Sequence, residues 1–144
     1  MLVQQILTQK PATGVVTLPP TATLNEAASL LSEMRIGAVI ISKDGKHPEG
    51  IVSERDIVRE LGKRGVSCMP EAVSTVMTVK LISCRKADTA DQVMQQMTDG
   101  RFRHMPVMEG PEMIGLVSIG DVVKARLSEL SMEKEALEGM IKGF

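Results

Sequence analysis

The nonapeptide Gly50–Val58, GIVSERDIV, returns at Gly115–Val123 as GLVSIGDVV, with Gly, Val, Ser, Asp and Val in the same places. A strand-to-helix corner written twice constrains the fold strongly. Self-similarity at a fixed spacing means that one supersecondary unit is built twice and stacked. The likeness continues upstream. Thr21–Ile41 matches Ala87–Val107 at an offset of 66, which brings Thr23 onto Thr89 and Arg35 onto Arg101. Val15–Leu18 matches Leu81–Cys84 at the same offset, and the nonapeptides follow at 65.

Each half reads the same way. A short apolar run (Val15–Leu18 or Val79–Ser83) is too short for a helix and rich in β-branched residues. Thr23 or Thr89 then stands at an N-cap position, with Glu26 or Gln92 three residues on as its capping-box partner. The apolar stripes Leu24, Ala27, Ala28, Leu31, Met34 and Ala90, Val93, Met94, Met97 have helical spacing. A strand follows (GAVIIS or RHMPVM), then a turn rich in Gly and Pro, then a second strand that runs into a helix at Glu54 or Ile119. The order is β-α-β-β-α, twice, a mixed α/β (α+β) fold. One such unit has too little core to stand alone, so two are expected to pack sheet to sheet as one module. The expected boundaries are 1–70 for the first repeat, 71–127 for the second and 128–144 for a C-terminal helical extension. Along that extension Val123, Leu127, Leu130, Leu137 and Ile141 form a stripe interrupted by Lys134. No third unit covers it, so the stripe predicts a homodimer-forming helix.

Composition narrows the function. The net charge is −1 and the pI about 6.1, which gives no basic footprint for nucleic acid. Phe102 and Phe144 are the only aromatics, too few for base stacking. No apolar run approaches the roughly 18 residues of a membrane span, and the MLVQQILTQK start has no signal-peptide pattern. Cys68 and Cys84 form no metal or redox motif with each other or with His47 and His104, so they read as idle thiols in a reducing cytoplasm. Eleven methionines substitute for the missing aromatics as core filler.

Ser53 with Asp56, and Ser118 with Asp121, have capping-box spacing, and an Asp in the first helical turn suits the helix dipole. For a single pair that reading would suffice. Here the pattern occurs twice in matched corners, each with Gly at the start of the strand and Val-Ser at its end. A helix N-terminus with a hydroxyl cap receives anions. A carboxylate one turn on would repel a phosphate and suits a diol instead. A diol next to a phosphate describes a nucleotide, and dinucleotide folds also place an acidic residue on ribose.

The tandem unit with its G-h-h-S-x-x-D corners resembles the cystathionine-β-synthase (CBS) domain pair, or Bateman module, from about Val3 to Leu127. The motifs RIGAVII, GIVSERDIVR, VMT, GRFRHMPV and GLVSIGDVV carry the likeness. The resemblance implies a stand-alone bacterial-type pair that binds adenosine ligands in two clefts between the repeats: AMP, ADP or ATP, with NAD or NADH as further candidates, and no obligatory cofactor. One cleft would take Ser118 and Asp121 with Thr17, Ala22 and the Gly37–Ala38–Val39 edge. The other would take Ser53, Arg55 and Asp56 with Ser83, Asp88, Arg103, His104 and the adjoining Met105 and Pro106. In the family the Asp holds ribose, hydroxyl and basic groups hold phosphate, and strand edges hold adenine.

The two corners differ in sequence. Ile119 and Gly120 replace Glu54 and Arg55, and Gly37 and Ala38 stand where the other repeat has Arg103 and His104. One strong site, with Arg55, Arg103 and His104, and one weaker or different site are expected. Arg35 and Arg101 also read as helix-end residues that suit the dipole, and Arg55–Gly65 as a mostly solvated helix face. The expected function is therefore a cytoplasmic regulatory module that senses a small adenosyl ligand and changes its packing or assembly, with no nucleic acid or membrane partner. A protein-interaction adaptor whose clefts bind nothing is the alternative. Ser118, His104 and Asp121 can be sketched as a triad, but Ser and Asp recur in both corners with only one His nearby, which reads against an enzyme.

Overall fold

A computed structural model describes residues 1–10 and 14–142. The elements in chain order are α1 (Val3–Gln9), β1 (Thr17–Leu18), α2 (Leu24–Met34), β2 (Ala38–Ile41), β3 (Gly50–Ser53), α3 (Glu54–Arg64), α4 (Ala90–Gly100), β4 (His104–Glu109), β5 (Glu112–Ser118) and α5 (Ile119–Ile141). Short 3₁₀ turns at Gly65–Cys68 and Val73–Thr75 lie between α3 and α4.

Two compact units arise, and they do not follow chain order. One comprises Thr13–Ile82 and Gly110–Ile114; the other comprises Met1–Ala12, Ser83–Glu109 and Gly115–Phe144. They are called here the first-repeat and second-repeat units. In the first, β1 pairs parallel to β2 (Thr17 with Ile40, Leu18 with Ile41) and β2 pairs antiparallel to β3 (Ala38 with Ser53, Ile41 with Gly50). A separate two-stranded sheet is formed by β4 and β5. The expected strand Val79–Ser83 does not form: Val79 and Ile82 are exposed, and the pairing shrinks to a parallel bridge between Cys84 and Val107. That bridge keeps the register of Leu18 with Ile41 at the repeat offset of 66 for both partners.

Both threonines cap their helices as expected, but only Thr89 closes the expected capping box; Glu26 makes no return bond to Thr23. Thr23 Oγ1 accepts from Glu26 N at 3.1 Å, while Thr89 and Gln92 exchange both bonds of a capping box, at 3.1 and 2.9 Å. α2 buries Leu24, Ala27 and Leu31 against Val39, Ile41, Val52 and Ile57, and its last stripe residue, Met34, is exposed at the helix end. α4 buries Ala90, Val93 and Met97. Met97 and Met105 fill the second core as expected for aromatic substitutes, whereas Met132 and Met140 are exposed on α5. Both helices end in a left-handed arginine, Arg35 (φ 54°) and Arg101 (φ 57°), a conformation that glycine normally takes at this position.

A segment outside each repeat seals its helix start by the same backbone pattern. Val73 N donates to Ala22 O at 2.7 Å and Leu24 N to Glu71 O at 2.9 Å. In the second-repeat unit Val3 N donates to Asp88 O at 2.8 Å and Ala90 N to Met1 O at 2.9 Å. Residues 1–3 thus do for the second repeat what 71–73 do for the first. α5 continues for 23 residues and exposes Leu127, Leu130, Leu137 and Ile141. Residues 143 and 144 of the expected extension lie outside the described residues.

Candidate functional site

The two duplicated corners fold alike. Ser53 caps α3 in extended backbone (φ −107°, ψ 164°) and Ser118 caps α5 (φ −101°, ψ 164°). At the first corner Ser53 Oγ accepts from Asp56 N at 3.2 Å, and Asp56 Oδ2 accepts from Ser53 N at 2.8 Å and from Ser53 Oγ at 3.0 Å. At the second, Ser118 Oγ accepts from Asp121 N at 3.2 Å and Asp121 Oδ2 accepts from Ser118 N at 2.9 Å. Both carboxylates are therefore held in one orientation by a complete capping box, so the structural reading of S-x-x-D is realised in full.

The glycine that opens each nonapeptide has a packing role. A Cβ on Gly50 would lie 2.6 Å from Met77 Sδ and 3.1 Å from Thr78 O, because Thr78 bridges back to Ile51. A Cβ on Gly115 would lie 2.6 Å from Leu7 Cδ2 of α1. Both glycines admit the sealing segment of their own unit.

Each unit also brings one strand-edge residue to its own corner. Glu54 N donates to Gly37 O at 2.9 Å, and Ala38 pairs with Ser53. Ile119 N donates to Arg103 O at 2.8 Å. Within the units, Gly37 and Ala38 stand beside the Ser53–Asp56 corner, and the Arg103 backbone stands beside the Ser118–Asp121 corner. Val39 is fully buried in β2, and Met105 and Pro106 are buried in β4. Thr17 is half-buried in β1, Ala22 is buried just before the α2 cap, and His104 opens β4 half-buried. Ser83 and Arg55 are exposed. Asp88 turns inward to its own loop, where Oδ2 accepts from Arg85 N at 2.8 Å.

Two cations that the sequence reading did not select complete the corners. Arg59 Nη2 donates to Asp56 Oδ1 at 2.9 Å from one turn further along α3. Lys10, just after α1, donates from Nζ to Asp121 Oδ2 at 2.8 Å and to Leu116 O at 2.7 Å. Arg59 is recoverable from its i, i+3 spacing to Asp56. Lys10 is 111 positions from Asp121 and leaves no local trace. Burial works to raise the Asp121 carboxyl, but the Lys10 bond, the Ser118 bonds and the Lys10 charge outweigh it and hold the group below its ordinary value. The Cys84 thiol is pushed up to about 12 by burial and by Asp88, so it is inert rather than nucleophilic. No group of His, Cys, Asp and Glu among the described residues is arranged to hold a metal ion. No described helix is long and apolar enough to cross a membrane.

Comparison with known proteins places this geometry. The chain is 37% identical over 125 residues to the mitochondrial CBS domain-containing protein CBSX3 of Arabidopsis thaliana, covering 84% of this chain and 61% of that protein. It spans only about a quarter of several other plant relatives, at 24% and 25% of their length. Its fold matches the CBS-domain protein ATU1752 of Agrobacterium tumefaciens (TM-score 0.83, 40% identity), covering 88% of this chain and 99% of that one. It also matches PAE2072 of Pyrobaculum aerophilum, a CBS domain protein solved in complex with AMP (TM-score 0.77, 27% identity, 92% and 99% covered). The CBS domain model matches residues 3–63 and again 73–128, each match spanning one of the duplicated corners, and the chain belongs to the CBS domain family.

Proposed function

We propose that this chain is a regulatory module that binds adenosine nucleotides at its two S-x-x-D corners and answers by a change of conformation or assembly. The observation that carries this reading is the duplicated corner itself. In each copy a capped helix N-terminus, which favours an anion, adjoins a carboxylate held in one orientation, which accepts from a diol. The AMP complex of PAE2072, 27% identical, supports the ligand class. Asp56 and Asp121 take the sugar hydroxyls in this reading, and Ser53, Ser118, Arg55 and the Arg103–His104 pair take the phosphate side. Thr17, Ala22, Gly37–Val39, Ser83, Asp88, Met105 and Pro106 supply the walls. The corners are unequal, because Arg55 in one is replaced by Gly120 in the other.

The module is non-catalytic in this reading. Its signal is a population shift, which requires the ligand to bind one arrangement better than another. The exposed stripe on α5 supports self-association as a homodimer. The buried free thiols Cys68 and Cys84 support a reducing compartment, the cytoplasm.

A thermal-denaturation panel followed by circular dichroism tests the ligand class with AMP, ADP, ATP, NAD, NADH, S-adenosylmethionine and GTP. A ligand specific for the folded state, present at about one hundred times its Kd, adds about 2.7 kcal/mol and raises the midpoint by several degrees. A shift with adenosyl ligands but not GTP is expected. If no ligand shifts nucleotide-free protein, the adaptor reading replaces this one.

A further inference from the structure

We infer that Lys10 is a ligand-recognition residue of the Ser118–Asp121 corner, contributed from outside the second repeat to complete its diol-binding carboxylate. The inference rests on the proposed reading of that corner.

The atoms account for it. A carboxylate offers about four acceptor positions, two on each oxygen. Asp121 Oδ2 uses both of its own, on Ser118 N at 2.9 Å and Lys10 Nζ at 2.8 Å. Among the described residues Oδ1 receives no hydrogen bond of ordinary geometry, and the Asp121 and Lys10 side chains keep 25% and 35% of their surface exposed, so the pair is open to solvent. The Lys10 ammonium carries three donors and places two, on Asp121 and on Leu116 O. The pair therefore keeps one N–H donor and one carboxylate oxygen to offer. A sugar hydroxyl fits that pair, because it donates to Oδ1 and accepts from Nζ. A phosphate does not fit, since Oδ1 repels it.

The first corner is built differently, and the contrast marks Lys10 as more than generic charge balance. Asp56 takes its cation from its own helix through Arg59, on Oδ1, the oxygen that Asp121 leaves open. The residue three beyond Asp121 is Lys124, also basic, yet it is exposed and Lys10 makes the pair instead. The sealing bonds share an offset of 70, which sets Lys80 against Lys10 in the sequence of the first-repeat unit, and Lys80 is exposed. The two corners thus hold the same Ser and Asp but opposite choices of cation. They present different faces: Arg59 covers Oδ1 of Asp56, and Lys10 flanks an open Oδ1 of Asp121. The second corner accordingly meets the sugar hydroxyls with an ammonium beside its carboxylate, where the first has the Arg59 guanidinium.

The test measures AMP affinity by calorimetry in an Asp56→Asn background, which isolates the second corner. Lys10→Met is expected to weaken AMP about tenfold, the loss of one charge-assisted hydrogen bond. Lys10→Arg is expected to restore most of it. Asp121→Asn is expected to weaken AMP at least as much, and Lys10→Met added to Asp121→Asn is expected to cost little more, since the two residues act as a unit. A purely structural Lys10 would give additive losses and a lowered melting midpoint without Arg rescue, which overturns the inference. Unchanged or tighter binding in Lys10→Met, with binding lost in Asp121→Asn, overturns it while leaving the corner reading intact. Full affinity in Asp121→Asn removes the corner reading and this inference together.

Discussion

Arg59 donates from Nη2 to Oδ1 of Asp56 at 2.9 Å, and Asp56 is only 8% exposed. The guanidinium lies on the solvent side of the pair, about half exposed, so it contributes charge without being buried itself. The carboxylate therefore has three partners and one orientation, all supplied within a single strand-helix corner.

Removing one partner separates stability from binding. Arg59→Ala is expected to destabilise the chain by about 1 kcal/mol, the range of a half-exposed charge-assisted bond. Asp56→Ala also removes the return half of the capping box and is expected to lose about 1–2 kcal/mol. Urea melts check both values. Calorimetry with AMP then checks that Asp56→Ala loses one binding site while Arg59→Ala keeps it.

The paired glycines are expected to respond unequally. Alanine at Gly50 meets Met77 Sδ at 2.6 Å and the Thr78 carbonyl at 3.1 Å, and the backbone atom does not yield. Alanine at Gly115 meets the methyl end of Leu7, which can turn away. Gly50→Ala is expected to lose about 1–3 kcal/mol and Gly115→Ala clearly less. Equal losses in urea melts would contradict the packing described.

Two left-handed arginines offer stabilising changes. Arg35 and Arg101 close α2 and α4 at φ 54° and 57°, where a side chain is disfavoured by about 1 kcal/mol. Arg35→Gly and Arg101→Gly are each expected to raise stability by about 0.5–1 kcal/mol, read as a higher urea midpoint at unchanged m. A loss in either variant would mean that the arginine side chain itself is needed there.

Asp121 makes acid sensitivity specific. Its folded carboxyl lies below the ordinary value, so its contribution is present above the unfolded pKa of about 3.9 and is lost as pH falls through the folded value. The stability difference between the wild-type chain and Asp121→Asn is expected to be constant from about pH 5 to 7 and to shrink below about pH 4. Lys10→Met removes the chief opposing cation and brings the folded value closer to the unfolded one, so in that variant the acid-dependent loss is smaller and is complete at a higher pH. Urea melts across the acid range measure both limbs.

α5 carries the assembly prediction. Leu127, Leu130, Leu137 and Ile141 are between 50% and 85% exposed along one continuous helix. The full chain is expected to run as a dimer in light scattering and a chain ending at Leu127 as a monomer. A truncated chain that still dimerised would place the interface elsewhere.

Most of the local architecture was legible in the residues. The Thr23, Thr89, Ser53 and Ser118 caps each rest on a bond to a residue three positions on, and such spacings are written directly in a sequence. The repeat offset of 66 was legible too, and the structure keeps it in the pairs Leu18 with Ile41 and Cys84 with Val107. The failure of Val79–Ser83 as a strand was not, because β propensity gives no pairing without a partner edge, and only Cys84 finds one.

The sequence by itself determined the doubled unit, its shared α-β-β-α order and the capped Ser–Asp corners, because these depend on contacts a few residues apart that leave a periodic trace. Only the tertiary structure decided that residues 1–3 seal the second repeat, that Gly50 and Gly115 are small for Met77 and Leu7, and that Lys10 reaches Asp121. Those contacts join residues far apart in the chain. They are selected by shape and charge after the chain has closed on itself, and distant contacts of that kind imprint no spacing on the sequence.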